Sequence, residues 1–143
     1  MDRDFEKEDS TTDLPREKNV FRVMQWNTLA KSLCSPNKYT KAPRETYDWD
    51  NYRLWRTIQE IVRYDCDIIC LEEVDHYELI KPYLHSVGYT SIFMPKFSSP
   101  CLEMLENIGP DGSCIFYRLS KFQVKIYLDI NFFVFYMMYV NLC

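Results

Sequence analysis

The sequence predicts a layered α/β domain with helices covering a sheet, and three observations lead there. Two apolar runs, residues 20–26 and 67–71, each end abruptly in polar residues. A stripe of helical period lies between them, and strong turn residues separate the strand-like runs that follow.

Residues 20–26 are β-branched and aromatic with little charge, which suits a strand buried on both faces, with Asn27 at its C-terminal end. Residues 31–48 carry Pro36, Asn37 and Pro43 and read as a connecting loop. Asp48 or Asp50 can cap the helix that follows. Leu54, Ile58, Ile61 and Val62 form its inward stripe, with Arg53, Arg56, Gln59 and Arg63 opposite. Asp67-Ile68-Ile69-Cys70-Leu71 is a short buried strand emerging into Glu72-Glu73-Val74-Asp75. A second helix over 75–86 is closed by Gly88, and a strand over 89–94 is stopped by Pro95. Residues 95–112 form a loop ending in Gly109-Pro110-Asp111-Gly112, after which strands are expected over 114–117 and 123–128.

Three segments differ in composition. Residues 1–19 are charged and rich in Ser, Thr and Asp, a flexible acidic leader with nothing apolar enough to repay ordering. Residues 20–125 are the globular part. Residues 1–17 hold seven acids and three bases, which accounts for the net charge of -4, so the remainder of the chain is neutral. A neutral body disfavours holding nucleic acid on a broad basic face, yet leaves room for a pocket that grips one or two phosphates. Residues 126–143 are apolar and aromatic, with Asp129 their one charge. Their uninterrupted apolar stretch is too short for a membrane span, so stable insertion is not expected; a sticky extension or an unpaired core strand are the other readings. The acidic N-terminus lacks secretory or mitochondrial character, and the six cysteines are scattered as core thiols are, so a reduced, cytoplasmic protein is expected.

Asn27, Glu72, Glu73 and Asp111 all fall where a strand meets a loop, the place where α/β folds gather ligand-binding groups. Two carboxylates beside an amide make an oxygen-rich site suited to Mg²⁺ with waters left for a phosphate. Alternatively, Glu72 and Asp75 cap the next helix and Glu73 is solvated. His76 and His85 read as helix residues, partly exposed, and not as general bases.

The stretches Val23-Met24-Gln25-Trp26-Asn27-Thr28-Leu29-Ala30 and Cys70-Leu71-Glu72-Glu73-Val74-Asp75-His76-Tyr77 resemble, in order and spacing, the first two signature motifs of the endonuclease/exonuclease/phosphatase superfamily. Residues 49–63 and 88–117, including Phe93-Met94-Pro95-Lys96 and Asn107-Ile108-Gly109-Pro110-Asp111-Gly112, are similar to its deadenylase-like branch. The resemblance implies a DNase I-like four-layer α/β sandwich, of which this chain supplies the first sheet with flanking helices. It implies a Mg²⁺-dependent hydrolase in which Asn27 orients phosphate and Glu73 ligates the metal. Lys96 matches a basic position near the substrate phosphates, its bland reading being a solvated lysine. In that branch the expected substrate is NADP(H), losing its 2′-phosphate to give NAD(H); poly(A) RNA, trimmed from its 3′ end, is the alternative. The superfamily's later motifs, a Gly-Asp-x-Asn and a terminal Ser-Asp-His among them, have no counterpart here, and Asp129-Ile130-Asn131 mimics the former too early and without its glycine. The expectation is therefore the N-terminal half of such an enzyme, inactive alone, or else a non-catalytic fragment that binds a partner.

Overall fold

The computed structural model describes residues 20–34, 37–105, 107–128 and 134–140. The leader 1–19 and the Asp129-Ile130-Asn131 triplet lie outside them. Six strands and two α-helices are described: β1 (Val23–Asn27), α1 (Leu54–Tyr64), β2 (Ile68–Glu72), α2 (Tyr77–Ser86), β3 (Tyr89–Pro95), β4 (Gly112–Arg118), β5 (Phe122–Leu128) and β6 (Val134–Val140).

β1 to β4 form one sheet in the order β1-β2-β4-β3. β1 runs parallel to β2, and β4 lies antiparallel between β2 and β3. It follows that β1, β2 and β3 share a direction, with α1 as the crossover between the parallel neighbours β1 and β2, and α2 returning the chain from β2 to β3 on the far side of β4. Their C-terminal ends and the N-terminal end of β4 therefore meet along one edge of the sheet. The register makes this concrete, with Asn27 opposite Glu72, Leu71 opposite Cys114, and Pro95 opposite Gly112.

Both helices pack on the same face. Leu54 and Ile61 of α1 and Tyr77, Ile80 and Leu84 of α2 join Ile69, Leu71, Cys114 and Phe116 of the sheet in one buried cluster. Tyr77 stacks on Phe93 with ring centroids 4.6 Å apart. Burial drives the thiol of Cys114 up to about 12, which keeps it a protonated core group.

The opposite face is exposed along β1, which corrects the reading of the first strand as buried on both sides. β1 is an edge strand of alternating exposure, and Val20, Phe21 and Val23 are all exposed. Val62 is also exposed, and Thr57 takes its place in the inward stripe of α1. The helix is entered through a single π turn, Trp49–Arg53, whose N-cap Asp48 accepts a hydrogen bond from the Asn51 N–H at 3.2 Å, leaving Asp50 to pair with Lys31 at 2.7 Å. With Leu54 fixed inward by that turn, Thr57 and Ile61 follow at helical spacing, and Val62 lies round the side.

The aromatic tail contributes β6, which pairs antiparallel with β5 from Phe122 opposite Val140 to Leu128 opposite Val134. No described helix is long and apolar enough to cross a membrane.

Gly112 is required by packing. A Cβ there would lie 2.2 Å from the Met94 carbonyl oxygen and 2.8 Å from Pro95 Cα, both backbone atoms of the neighbouring strand. Gly112→Ala is expected to destabilise the chain by about 2 kcal/mol or more by prising β3 from β4. A urea midpoint indistinguishable from that of the parent sequence would contradict this close approach.

Candidate functional site

Four predicted residues come together at the shared sheet edge. Asn27 ends β1; its side-chain oxygen accepts the Leu29 N–H at 2.9 Å, which orients the amide, and its nitrogen donates to Glu73 Oε1 at 2.7 Å. The amide carries a second N–H, so one donor remains for a substrate oxygen. Glu73 follows β2 in a left-handed conformation, φ 54°, and Leu29 across from it has φ 58°. Such backbone is costly for residues with a Cβ and clusters at functional sites. Here it swings the Glu73 carboxylate back toward Asn27.

Lys96 follows β3 and Asp111 precedes β4. Their main chains join through the Lys96 N–H and the Asp111 carbonyl at 2.8 Å, and Lys96 Nζ reaches Asp111 Oδ2 at 2.6 Å. The other Asp111 oxygen accepts the Ser99 hydroxyl, while the Asp111 N–H donates to Ser99 Oγ at 3.0 Å. The Asp111 side chain is fully buried, whereas that of Lys96 is 52% exposed. Asp111 raises the Lys96 ammonium's pKa, with Glu73 adding to the effect. Burial alone would raise the Asp111 carboxyl, but the hydrogen bonds from Lys96 and Ser99 outweigh it and hold it below the usual range. The result is a permanently charged ammonium, half in solvent, whose field reaches the Glu73 carboxylate.

The expected carboxylate pair is split. Glu72 leans back along the ladder and accepts from Gln25 Nε2 at 2.9 Å, so Glu73 is the carboxylate that meets Asn27. Asp75 is no cap for α2, which begins without a side-chain cap. Its buried carboxylate instead accepts the Lys31 and Ser32 N–H groups at 2.9 and 2.8 Å and faces His76 Nδ1 at 2.9 Å. His76 is not a partly exposed helix residue; it is the buried N-cap position of α2, 1% exposed, with its ring against Trp49 at 3.9 Å between centroids. Its burial depends on Trp49, a contact that local periodicity does not encode. His85 is exposed near the end of α2, with Nε2 3.0 Å from Ser91 Oγ.

Among the described residues, no three His, Cys, Asp or Glu side chains gather as a ready metal cage. The donors present do suit a hard cation that keeps most of its waters: one carboxylate, one neighbouring amide and a nearby ammonium to receive an anion. Mg²⁺ is bound in this way, through one or two carboxylates plus substrate phosphate.

Known proteins carry the same arrangement of chain. Human nocturnin is 40% identical over 124 residues, 85% of this chain and 28% of that protein. Drosophila melanogaster nocturnin is 40% identical over 114 residues, 79% of this chain and 18% of its own length. The chain thus spans less than a third of either relative. The CCR4-Not complex 3′-5′-exoribonuclease subunit Ccr4 of Saccharomyces cerevisiae is 33% identical over 110 residues, 75% of this chain and 13% of that one. In structure, the human nocturnin catalytic domain with bound sulfate anion superposes with a TM-score of 0.63 at 40% identity, covering 73% of this chain and 36% of that domain. Residues 24–143 match the Endonuclease/Exonuclease/phosphatase family, and with the two motifs meeting at one sheet edge, the chain belongs to that family.

Proposed function

We propose that this chain is the N-terminal half of a Mg²⁺-dependent phosphohydrolase that removes the 2′-phosphate of NADP(H) to give NAD(H). The observation that carries the reading is the Asn27–Glu73 contact of 2.7 Å at a sheet edge that also presents Lys96. Glu73 would hold the Mg²⁺, which on binding supplies charge neutralisation to a phosphoryl oxygen. Asn27, fixed by the Leu29 N–H, aims its free N–H at a phosphate oxygen. Lys96, anchored by Asp111 through one of its three donors, has two left for the same phosphate. Such preorganised donors stabilise charge without reorganising.

In this reading residues 1–19 are an acidic leader, 20–125 half of the domain, and 126–143 a divergent tail, in a cytoplasmic protein. Alone, the 143 residues are inactive in this reading, because they carry no counterpart of the superfamily's later acid, amide and imidazole groups. The resemblance to Ccr4 supports a second reading, a poly(A) 3′ exoribonuclease. Incubation with Mg²⁺ and either NADP⁺ or poly(A) separates the two. The full-length protein is expected to release phosphate from NADP⁺ well above its release of AMP from poly(A), and the 143-residue chain to release neither. The reverse ranking selects the exoribonuclease, and turnover by the short chain refutes its inactivity.

A further inference from the structure

Thr28 follows the proposed ligand-orienting Asn27, and nothing in the site's chemistry as described above uses it. Yet it is 0% exposed, and every polar atom it owns is directed at the site's backbone or braced from behind. Its N–H donates to the Glu72 carbonyl at 3.0 Å. Its hydroxyl lies 3.1 Å from the same oxygen and 3.4 Å from the Glu73 carbonyl. Its own carbonyl accepts a bond from the Arg53 guanidinium at 2.8 Å, and Arg53 also donates to the Thr46 carbonyl at 2.8 Å and lies over the Trp49 ring.

These contacts converge on the peptide units on either side of the Glu73 Cα. A left-handed residue with a Cβ returns to ordinary backbone unless its surroundings hold it. The Glu73 peptide is held on the far side by the Val74–Gly112 pair, N–H to carbonyl at 2.9 and 3.2 Å. On the near side the holding group is Thr28. A single hydroxyl proton shared between two consecutive carbonyls fixes their relative orientation, which sets the direction of the Glu73 side chain.

We propose that Thr28 is a positioning residue for the metal carboxylate: its hydroxyl, braced by Arg53, clamps the Glu72 and Glu73 carbonyls so that Glu73 is aimed before any cation arrives. The inference rests on the reading of Glu73 as the Mg²⁺ ligand. Groups that orient a metal ligand change metal affinity by about 10–100-fold.

The test uses the full-length protein and compares Thr28→Val, which keeps the shape and loses the hydroxyl, with Thr28→Ser, which keeps the hydroxyl. Mn²⁺ binding followed by electron paramagnetic resonance, and the Mg²⁺ concentration giving half-maximal turnover of NADP⁺, are read together. Thr28→Val is expected to weaken both about tenfold, while kcat at saturating Mg²⁺ and KM for NADP⁺ change less than about threefold. Thr28→Ser is expected to restore both to within about twofold. Equal defects in the two variants, or an unchanged metal requirement in Thr28→Val, overturn the proposal. Where Thr28→Val melts early, the size-matched pair Thr28→Ala and Thr28→Ser carries the same comparison. Glu73→Ala tells the two levels apart: if it leaves Mn²⁺ binding intact, the reading of the ligand falls and the clamp with it. Loss of binding in Glu73→Ala beside full binding in Thr28→Val overturns the clamp alone.

Discussion

Glu73→Gly in the full-length protein is expected to lower Mg²⁺-dependent phosphate release by at least about a hundredfold, while shifting folding stability by no more than about 1 kcal/mol. The two halves of this result have separate causes. Glycine accepts φ 54° without the strain of a Cβ, and this relief offsets the freedom glycine gains in the unfolded chain. The hydrogen bond that is lost, from Asn27 to the Glu73 carboxylate, is solvent-exposed and contributes little to stability. What disappears is the carboxylate proposed to hold the cation. Ordinary structural glutamates do not combine neutral stability with near-complete loss of turnover. Retention of more than a tenth of the activity in a folded Glu73→Gly protein would remove Glu73 from the mechanism.

Asp75→Ala is expected to have the largest effect on folding, about 3–5 kcal/mol, read as a lowered urea midpoint. The carboxylate is fully buried and takes two backbone N–H groups of a turn more than forty residues away, as well as His76. Its removal leaves three donors without an acceptor where water does not reach. The same network predicts acid sensitivity. Burial holds the His76 imidazole below its ordinary value of 6.5, only partly countered by Asp75; with Nδ1 facing Asp75, the buried Nε2 has no hydrogen-bond partner. The unfolded chain therefore binds a proton at His76 as the pH falls below 6.5, before the folded chain does, and stability declines from there. Burial would raise the Asp75 carboxyl, but the hydrogen bonds from His76, Ser32 and Lys31 win and hold it below 3.8, so its contribution is present above that value and lost beneath it. Urea midpoints measured from pH 8 to pH 3 should fall in two stages, beginning near 6.5 and steepening near 3.8. A flat profile between pH 7 and pH 5 would contradict the buried neutral imidazole.

The strand positions were legible because apolar runs bounded by Asn27, Pro95 and the Gly109-Pro110-Asp111-Gly112 turn leave few other places for a sheet. The placement of Asn27, Glu73 and Asp111 at strand ends followed from the limits of the apolar runs, whereas Lys96 was indicated only by the family resemblance. Less was legible where side chains choose partners far along the chain. Asp75 sits where a helix cap belongs, and local chemistry assigned it to α2; the Lys31–Ser32 turn won because its unpaired N–H groups are brought to the carboxylate by the β1–β2 pairing. The exposure of one face of β1 is likewise invisible in its sequence, since its apolar residues read the same whether or not a second layer covers them. Thr28 carried no signal either, since a threonine after a strand is ordinary and its significance comes from the carbonyls opposite.

Strand order also governs when this edge assembles during synthesis. β2 pairs with β4, some forty residues further on, and β3 reaches the sheet through β4. Until Arg118 has left the ribosome, the nascent chain holds a two-stranded ribbon with a bare flank, and α2 has a strand to lie on but no sheet joined to it. Pairings so distant in sequence form slowly, which lengthens the interval in which the unpaired flank of β2 is exposed to other chains.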